Sequence, residues 1–154
     1  MGNFLASIKK ELLVIFFSMV PVFELRGAIP LGISLGLSPL HSWVLSVISN
    51  ILMAGFLLKL LNPIMNYFEK TRLFKSTIGW VKTRSMKKAA TIKKYSLIGL
   101  FFFVAIPIPT TGVWTASVIA SILNLDIKKS LISMGLGVVA AASIVLGLYY
   151  GIFI

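Results

Sequence analysis

The chain has 154 residues, 58% of them hydrophobic and 12% charged, with 15 basic against 4 acidic residues for a net charge of +11. Its mean hydropathy is +0.98. A single soluble domain needs more polar surface than this, and cysteine is absent, so a water-soluble enzyme, a disordered chain and a disulfide scaffold are excluded, leaving an all-α integral membrane protein of one domain.

The first hydrophobic block covers 12–40, with only Glu24 and Arg26 charged. Lys9 and Lys10 before the apolar stretch 12–23 have the outline of a secretory leader. Glu24 and Arg26 stand where small residues would be cleaved, so the segment is expected to be retained. Its 29 residues would make about 45 Å of straight helix, too long for a hydrocarbon core of about 30 Å. Pro21 and Pro30 bracket its middle, with Gly27 between them. Proline removes a backbone donor and glycine permits a reversal. The block therefore predicts a re-entrant hairpin: half-helix, broken tip, half-helix, exit on the side of insertion. The tip must be buried in protein, because unpaired backbone groups in lipid are costly. A long kinked helix that crosses completely is the other geometry these lengths allow.

The second block, 42–61, has 20 residues and one charge, Lys59, near its end. It predicts an ordinary transmembrane helix. Ser46, Asn50 and Ala54 make a small-polar stripe suited to close helix packing, as does Gly32-x-x-x-Gly36. The segment 62–94 follows and carries most of the basic residues, nine of the 15 lying between Lys70 and Lys94. Ile64, Phe68, Phe74, Ile78 and Val81 recur near helical spacing, with Trp80 among them. This predicts an amphipathic connector lying in the interface, facing the cytoplasm by its charge; nucleic acid is not expected as a partner.

The third block, 95–125, is uncharged and is broken by Pro107-Ile108-Pro109-Thr110-Thr111-Gly112. It predicts a second re-entrant hairpin. The fourth, 130–154, is an uncharged span with a small stripe of Ser143, Gly147 and Gly151. The pattern of hairpin plus transmembrane helix thus occurs twice, about 12–61 and 95–154. Gly27 pairs with Gly112, and Gly36-Leu37-Ser38 pairs with Asn124-Leu125-Asp126 once three residues are inserted. One span per copy inverts the second copy, so the tips can meet near the midplane, where inverted-repeat transporters bind substrate.

Glu24 and Arg26 are the strongest candidates for a binding site. Ionisable groups at depth are costly unless paired or hydrated. A desolvated carboxyl tends to hold a proton, and a guanidinium beside it favours the charged form. An internal ion pair that fastens the tip is the structural reading of the same residues. Thr110, Thr111 and Trp114 are their counterparts in the second tip, with hydroxyls for freed backbone groups or a ligand and an indole to stack or pack. The half-helix N-termini at Gly27 and Gly112 offer free N–H groups that, with Arg26, suit a phosphate. Pro21, Pro30, Pro107 and Pro109 act as structural breakers. His41 sits in a short turn without metal partners. No metal site, cofactor, catalytic triad or nucleotide loop is expected, and no enzyme.

The runs Pro-Val-Phe-Glu-Leu-Arg-Gly-Ala-Ile-Pro (21–30) and Pro-Ile-Pro-Thr-Thr-Gly-Val-Trp-Thr-Ala-Ser (107–117) resemble the signature blocks of the small multidrug export protein family. That family looks like a compact relative of the DedA/VTT membrane proteins. The resemblance implies paired re-entrant hairpins and transport, and in the wider group lipid-carrier phosphate translocation driven by the proton-motive force. Glu24 and Arg26 would take the acidic and basic positions of the first hairpin. Thr110 and Thr111 stand where DedA proteins tend to carry an arginine. The expectation is a proton-coupled secondary transporter of an amphipathic solute or lipid, polyprenyl-phosphate lipids included. It would be homodimeric and multi-pass in the inner or plasma membrane, with membrane lipids and protons as partners. A non-transporting scaffold or lipid-organising dimer is the alternative.

Overall fold

The computed structural model describes residues 2–69, 89–108 and 111–153. Among the described residues the regular structure is helical: α1 (Gly2–Met19), α2 (Glu24–Ser34), α3 (Pro39–Glu69), α4 (Ala89–Ala105), α5 (Val113–Ile122) and α6 (Ile127–Phe153). Two of these helices are long and apolar enough to cross a membrane, over Pro39–Met65 and Ile127–Gly151, with mean hydropathies of 2.1 and 2.3. Their outward faces carry Leu52, Phe56, Ile132, Leu136 and Leu148, each more than half exposed. Apolar surface on that scale is stable only against lipid, so the chain is a membrane protein.

Proline ends both α1 and α4. The residue four after Phe17 is Pro21, which has no N–H to give Phe17 O, and that carbonyl takes Val20 N–H at 3.3 Å instead. The turn closes with Glu24 N–H on Val20 O at 3.0 Å. At the other break α4 ends at Ala105, two residues before Pro107, and Gly112 opens α5. Pro30 behaves differently from expectation, for it lies inside α2 and does not break it. Helix α3 also continues through Pro63 to Glu69, past the connector's expected start at 62. Most of the basic connector, with Phe74, Ile78, Trp80 and Val81, lies outside the described residues, as do Pro109 and Thr110.

Helix α1 packs on α2 and α3, and α4 packs on α5 and α6; α2 also packs on α3, and α5 on α6. Between these groups α3 meets α5 and α6, and α2 meets α6. Exchanging α1, α2, α3 for α4, α5, α6 leaves this set of contacts unchanged. The expected register between the two groups needs correction. No insertion is required: a shift of 88 positions lays Glu24 on Gly112 and carries α2 onto α5. From 24–42 and 112–130 the order of buried, half-buried and exposed residues then coincides at all but three positions.

The ends of α2 and α5 explain why Gly36-Leu37-Ser38 and Asn124-Leu125-Asp126 match. Gly36 and Asn124 have φ of 87° and 52°, the left-handed conformation that stops a helix. Leu37 N–H returns to Gly32 O and Leu125 N–H to Ala120 O, each at 3.0 Å. Ser38 and Asp126 then cap the next helix, Ser38 Oγ accepting from His41 N–H at 3.3 Å and Asp126 Oδ1 from Lys129 N–H at 2.9 Å. These three residues act as stop, hydrophobic clip and start in both places.

The core is made mostly of small and branched side chains, among them Val14, Ile29, Ala54, Leu58, Val104, Ala116, Val138 and Ala142, with the unbranched Met134 buried beside them. Gly32 is a point of closest approach: a Cβ there would lie 2.5 Å from Ser42 Oγ and 2.9 Å from Val14. Gly99, inside α4, has open space around it. Gly32→Ala is expected to lower stability by about 1–3 kcal/mol through overpacking. Gly99→Ala should raise it by up to about 1 kcal/mol through helix propensity alone. Thermal unfolding of the two variants in detergent checks the contrast.

Candidate functional site

The two proline breaks meet. Glu24, the first residue of α2, is 4% exposed, and Gly112 stands before α5 in an extended conformation (φ −133°, ψ −170°). The Glu24 carboxylate fills the space a Gly112 side chain would need, since a Cβ there would overlap its oxygens. The backbone N–H groups of Val113 and Trp114, the first two of α5, donate to that carboxylate. A helix N-terminus has unpaired donors and partial positive charge, so a carboxylate is a natural partner for it. Glycine is needed at 112 for room, not for a left-handed dihedral.

Arg26 links the same two breaks. Its Nη1 lies 3.4 Å from Glu24 Oε2. Its Nη2 donates to Ile106 O at 3.1 Å, to Thr111 O, and to Thr111 Oγ1 at 3.3 Å. Ile106 follows directly on α4, where carbonyls have lost their helical donors, so the guanidinium is a C-terminal cap supplied from another helix. The Thr111 hydroxyl adds to this, 2.8 Å from Ile106 O and 3.1 Å from Ile108 O. In return, Trp114 Nε1 donates to Met19 O, the last carbonyl of α1, at 3.0 Å.

The corrected register makes these contacts reciprocal. Glu24 is equivalent to Gly112, and Arg26 to Trp114. Each break sends a donor side chain, two residues after the contact point, to a carbonyl at the end of the other group's first helix. Among the described residues, Arg26 is the charged side chain in contact with Glu24. Glu24 has φ +46°, a left-handed conformation that strains a residue with a Cβ by about 1–2 kcal/mol. The hydrogen bonds of its carboxylate oppose that strain.

Of the residues singled out from the sequence, Glu24, Arg26, Thr111, Gly112 and Trp114 come together, with Pro21 and Pro107 in the breaks they close. Thr110 and Pro109 fall outside the described residues. Gly27 does not present a free N–H as expected. It lies within α2, its N–H bonded to Phe23 O at 3.0 Å and its Cβ position 3.0 Å from the Phe23 ring. Sequence reasoning marked the open N-terminus at Gly112 but missed its occupant, the Glu24 carboxylate, and missed the carbonyls of Met19 and Ile106. Their proximity to proline was the available signal.

Residues 24–144 match the model of the family described as "Putative small multi-drug export protein". The match begins at Glu24, takes in the second break and the first apolar span, and ends within the second span; it covers well over half of the chain, which belongs to that family. Neither a curated protein nor a solved structure matches it.

Gly112→Ala is expected to push the Glu24 carboxylate off the α5 N-terminus and to cost about 1–3 kcal/mol. Adding Glu24→Ala should relieve part of that loss, with a coupling of about 1–3 kcal/mol between the two sites. Unfolding midpoints of the two single variants and the double variant test this; strict additivity contradicts the contact. Trp114→Phe, which keeps an aromatic side chain but removes the indole N–H, should cost at least about 1 kcal/mol by the same measurement.

Proposed function

We propose that this member of the small multi-drug export family is a secondary transporter that exports an amphipathic solute in exchange for protons at Glu24. The exchange site would lie between two re-entrant hairpin tips near the membrane midplane, in an inverted repeat of hairpin plus spanning helix. The observation that carries this reading is the carboxylate clasp, a buried acid on one pair of helices holding the N-terminus of another.

The chemistry follows from what a proton does to such a contact. Charged Glu24 accepts from the α5 N-terminus and attracts Arg26. A proton on it removes the charge that opposes both, weakening the hold between α2 and α5. A cationic solute beside the carboxylate competes for the same charge. The N-terminus of α5 already has an anion in Glu24, which supports a cationic solute over an anionic one. Translocation of a lipid phosphate, suggested by the likeness of the motifs to DedA/VTT proteins, is the anionic version, with Arg26 as its ligand.

The packing of α1 on α2 and of α4 on α5 supports hairpins over straight spans. The exposed stripe of Ser143, Gly147 and Gly151 on α6 supports close association of two copies, since small residues let backbones approach. The basic residues in 70–94 support a cytoplasmic position for that segment in a multi-pass protein of the plasma or inner membrane.

One observation favours a second reading. The clasp is nearly satisfied from within, as a purely structural pin would be, and the protein would then be a scaffold or lipid-organising dimer. Reconstituted vesicles with an imposed pH gradient separate the two. Under the transport reading the wild type moves an amphipathic cation, and Glu24→Gln, folded by its unfolding midpoint, falls to the level of protein-free vesicles. Absence of flux in the wild type supports the scaffold. Preference for an anionic solute at fixed pH, lost in Arg26→Ala, supports the lipid-phosphate version.

A further inference from the structure

The two groups of helices share a backbone plan but differ in one buried line of side chains. On α3, Ser46 and Asn50 are fully buried; on α5, which packs on α3, Ser117 is fully buried and Ser121 is 2% exposed. Their equivalents in the corrected register are Met134 and Val138 on α6 and Ile29 and Ile33 on α2, which packs on α6. Polar residues stand on one pair of packed helices, and apolar residues stand at the equivalent positions of the other pair. The fold itself therefore does not demand the polar ones.

The polar atoms on the α3–α5 side are also incompletely paired. Ser46 Oγ, Asn50 Oδ1 and Ser121 Oγ are buried and have no hydrogen-bond partner among the described residues. Asn50 Nδ2 is committed to Ser46 O at 3.0 Å, so the free atom is its acceptor. An unpaired buried polar atom costs about 1–3 kcal/mol, and burial of three against an apolar alternative needs a reason. Water is the usual partner for such groups inside a protein, and small hydroxyls leave room for it.

Position supplies the reason. Val113, Ser117 and Ser121 follow one another at helical spacing along one face of α5. Val113 N–H holds the Glu24 carboxylate, Ser117 Oγ lies on Val113 O at 2.6 Å, and Ser121 is one residue from the helix end at Ile122. The line is about 12 Å long, from the buried acid to the turn that leads into α6.

We infer that the contact between α3 and α5 is a hydrated seam, a file of waters held by Ser46, Asn50, Ser117 and Ser121 that gives protons access to Glu24, while the matching α2–α6 contact is dry. This rests on the proton-exchange reading of Glu24 and adds the route, its side of the molecule and its ligand, water.

The absence of native cysteine allows a direct test on the full chain in vesicles. Single cysteines at Ser46, Asn50 and Ser121 are compared with cysteines at their equivalents Met134, Val138 and Ile33, using a small water-soluble methanethiosulfonate as probe. A thiol must ionise to react, and ionisation needs water. The seam thiols should react at least about tenfold faster than their equivalents. Equal rates, or faster reaction on the α2–α6 side, overturn the inference. Ser46→Ala with Ser121→Ala provides a readout independent of labelling. If the hydroxyls serve water, the unfolding midpoint does not fall while proton-driven flux does. A lower midpoint with unchanged flux per folded molecule overturns the seam. Reactive seam thiols without any flux retain the seam and remove the export reading; proton-driven flux with inert seam thiols does the reverse.

Discussion

Everything in this structure depends on where the backbone groups freed by proline find partners. A helix that stops in apolar surroundings leaves carbonyls at one end and N–H groups at the next start, and lipid satisfies neither. Here each break is closed by side chains from the other. Arg26 reaches the carbonyls after α4, Trp114 reaches the last carbonyl of α1, and Glu24 takes the first N–H groups of α5. The two helix groups are therefore fastened at the places where each is weakest alone. Opening one break exposes the other, and so the clasp behaves as one unit.

That arrangement also accounts for how little the two groups resemble each other in sequence. Equivalent residues meet at their contact, and two carboxylates meeting there would repel. The fit is made instead from a carboxylate on one side and a missing side chain on the other, Glu24 against Gly112. Arg26 and Trp114 do equivalent jobs with different chemistry, because both need only an N–H that can reach across. The parts of the backbone plan that stay alike are those with local demands, such as the left-handed stop, the leucine clip and the capping oxygen at 36–38 and 124–126. Divergence is concentrated where the halves touch.

The same asymmetry runs into the core. The packed pair α3 and α5 carries Ser46, Asn50, Ser117 and Ser121, where the pair α6 and α2 has Met134, Val138, Ile29 and Ile33 at the equivalent positions. With the backbone plan held constant, the difference isolates what the side chains add. A buried acid with polar side chains on one flank and apolar ones on the other is an asymmetry that the shared backbone plan does not require.

Composition and block lengths alone established a helical membrane protein with two apolar spans, because hydropathy over about 20 residues is a property of the chain and not of its packing. Pro21, Pro107 and the uncharged setting of Glu24 and Arg26 marked the breaks and the candidate pair, since a proline lacks its N–H in any fold. Pro30 was misread as a breaker for want of context, as α2 carries it inside the helix. Gly27 was matched to Gly112 by residue type, whereas the structural equivalent of Gly112 is Glu24. Only tertiary structure could decide that match, for the space at Gly112 is defined by a carboxylate 88 residues earlier in the chain. The partners of the clasp are mostly backbone atoms, which every residue possesses and no sequence pattern labels; distance in three dimensions selected Met19 O, Ile106 O and the N–H groups of Val113 and Trp114.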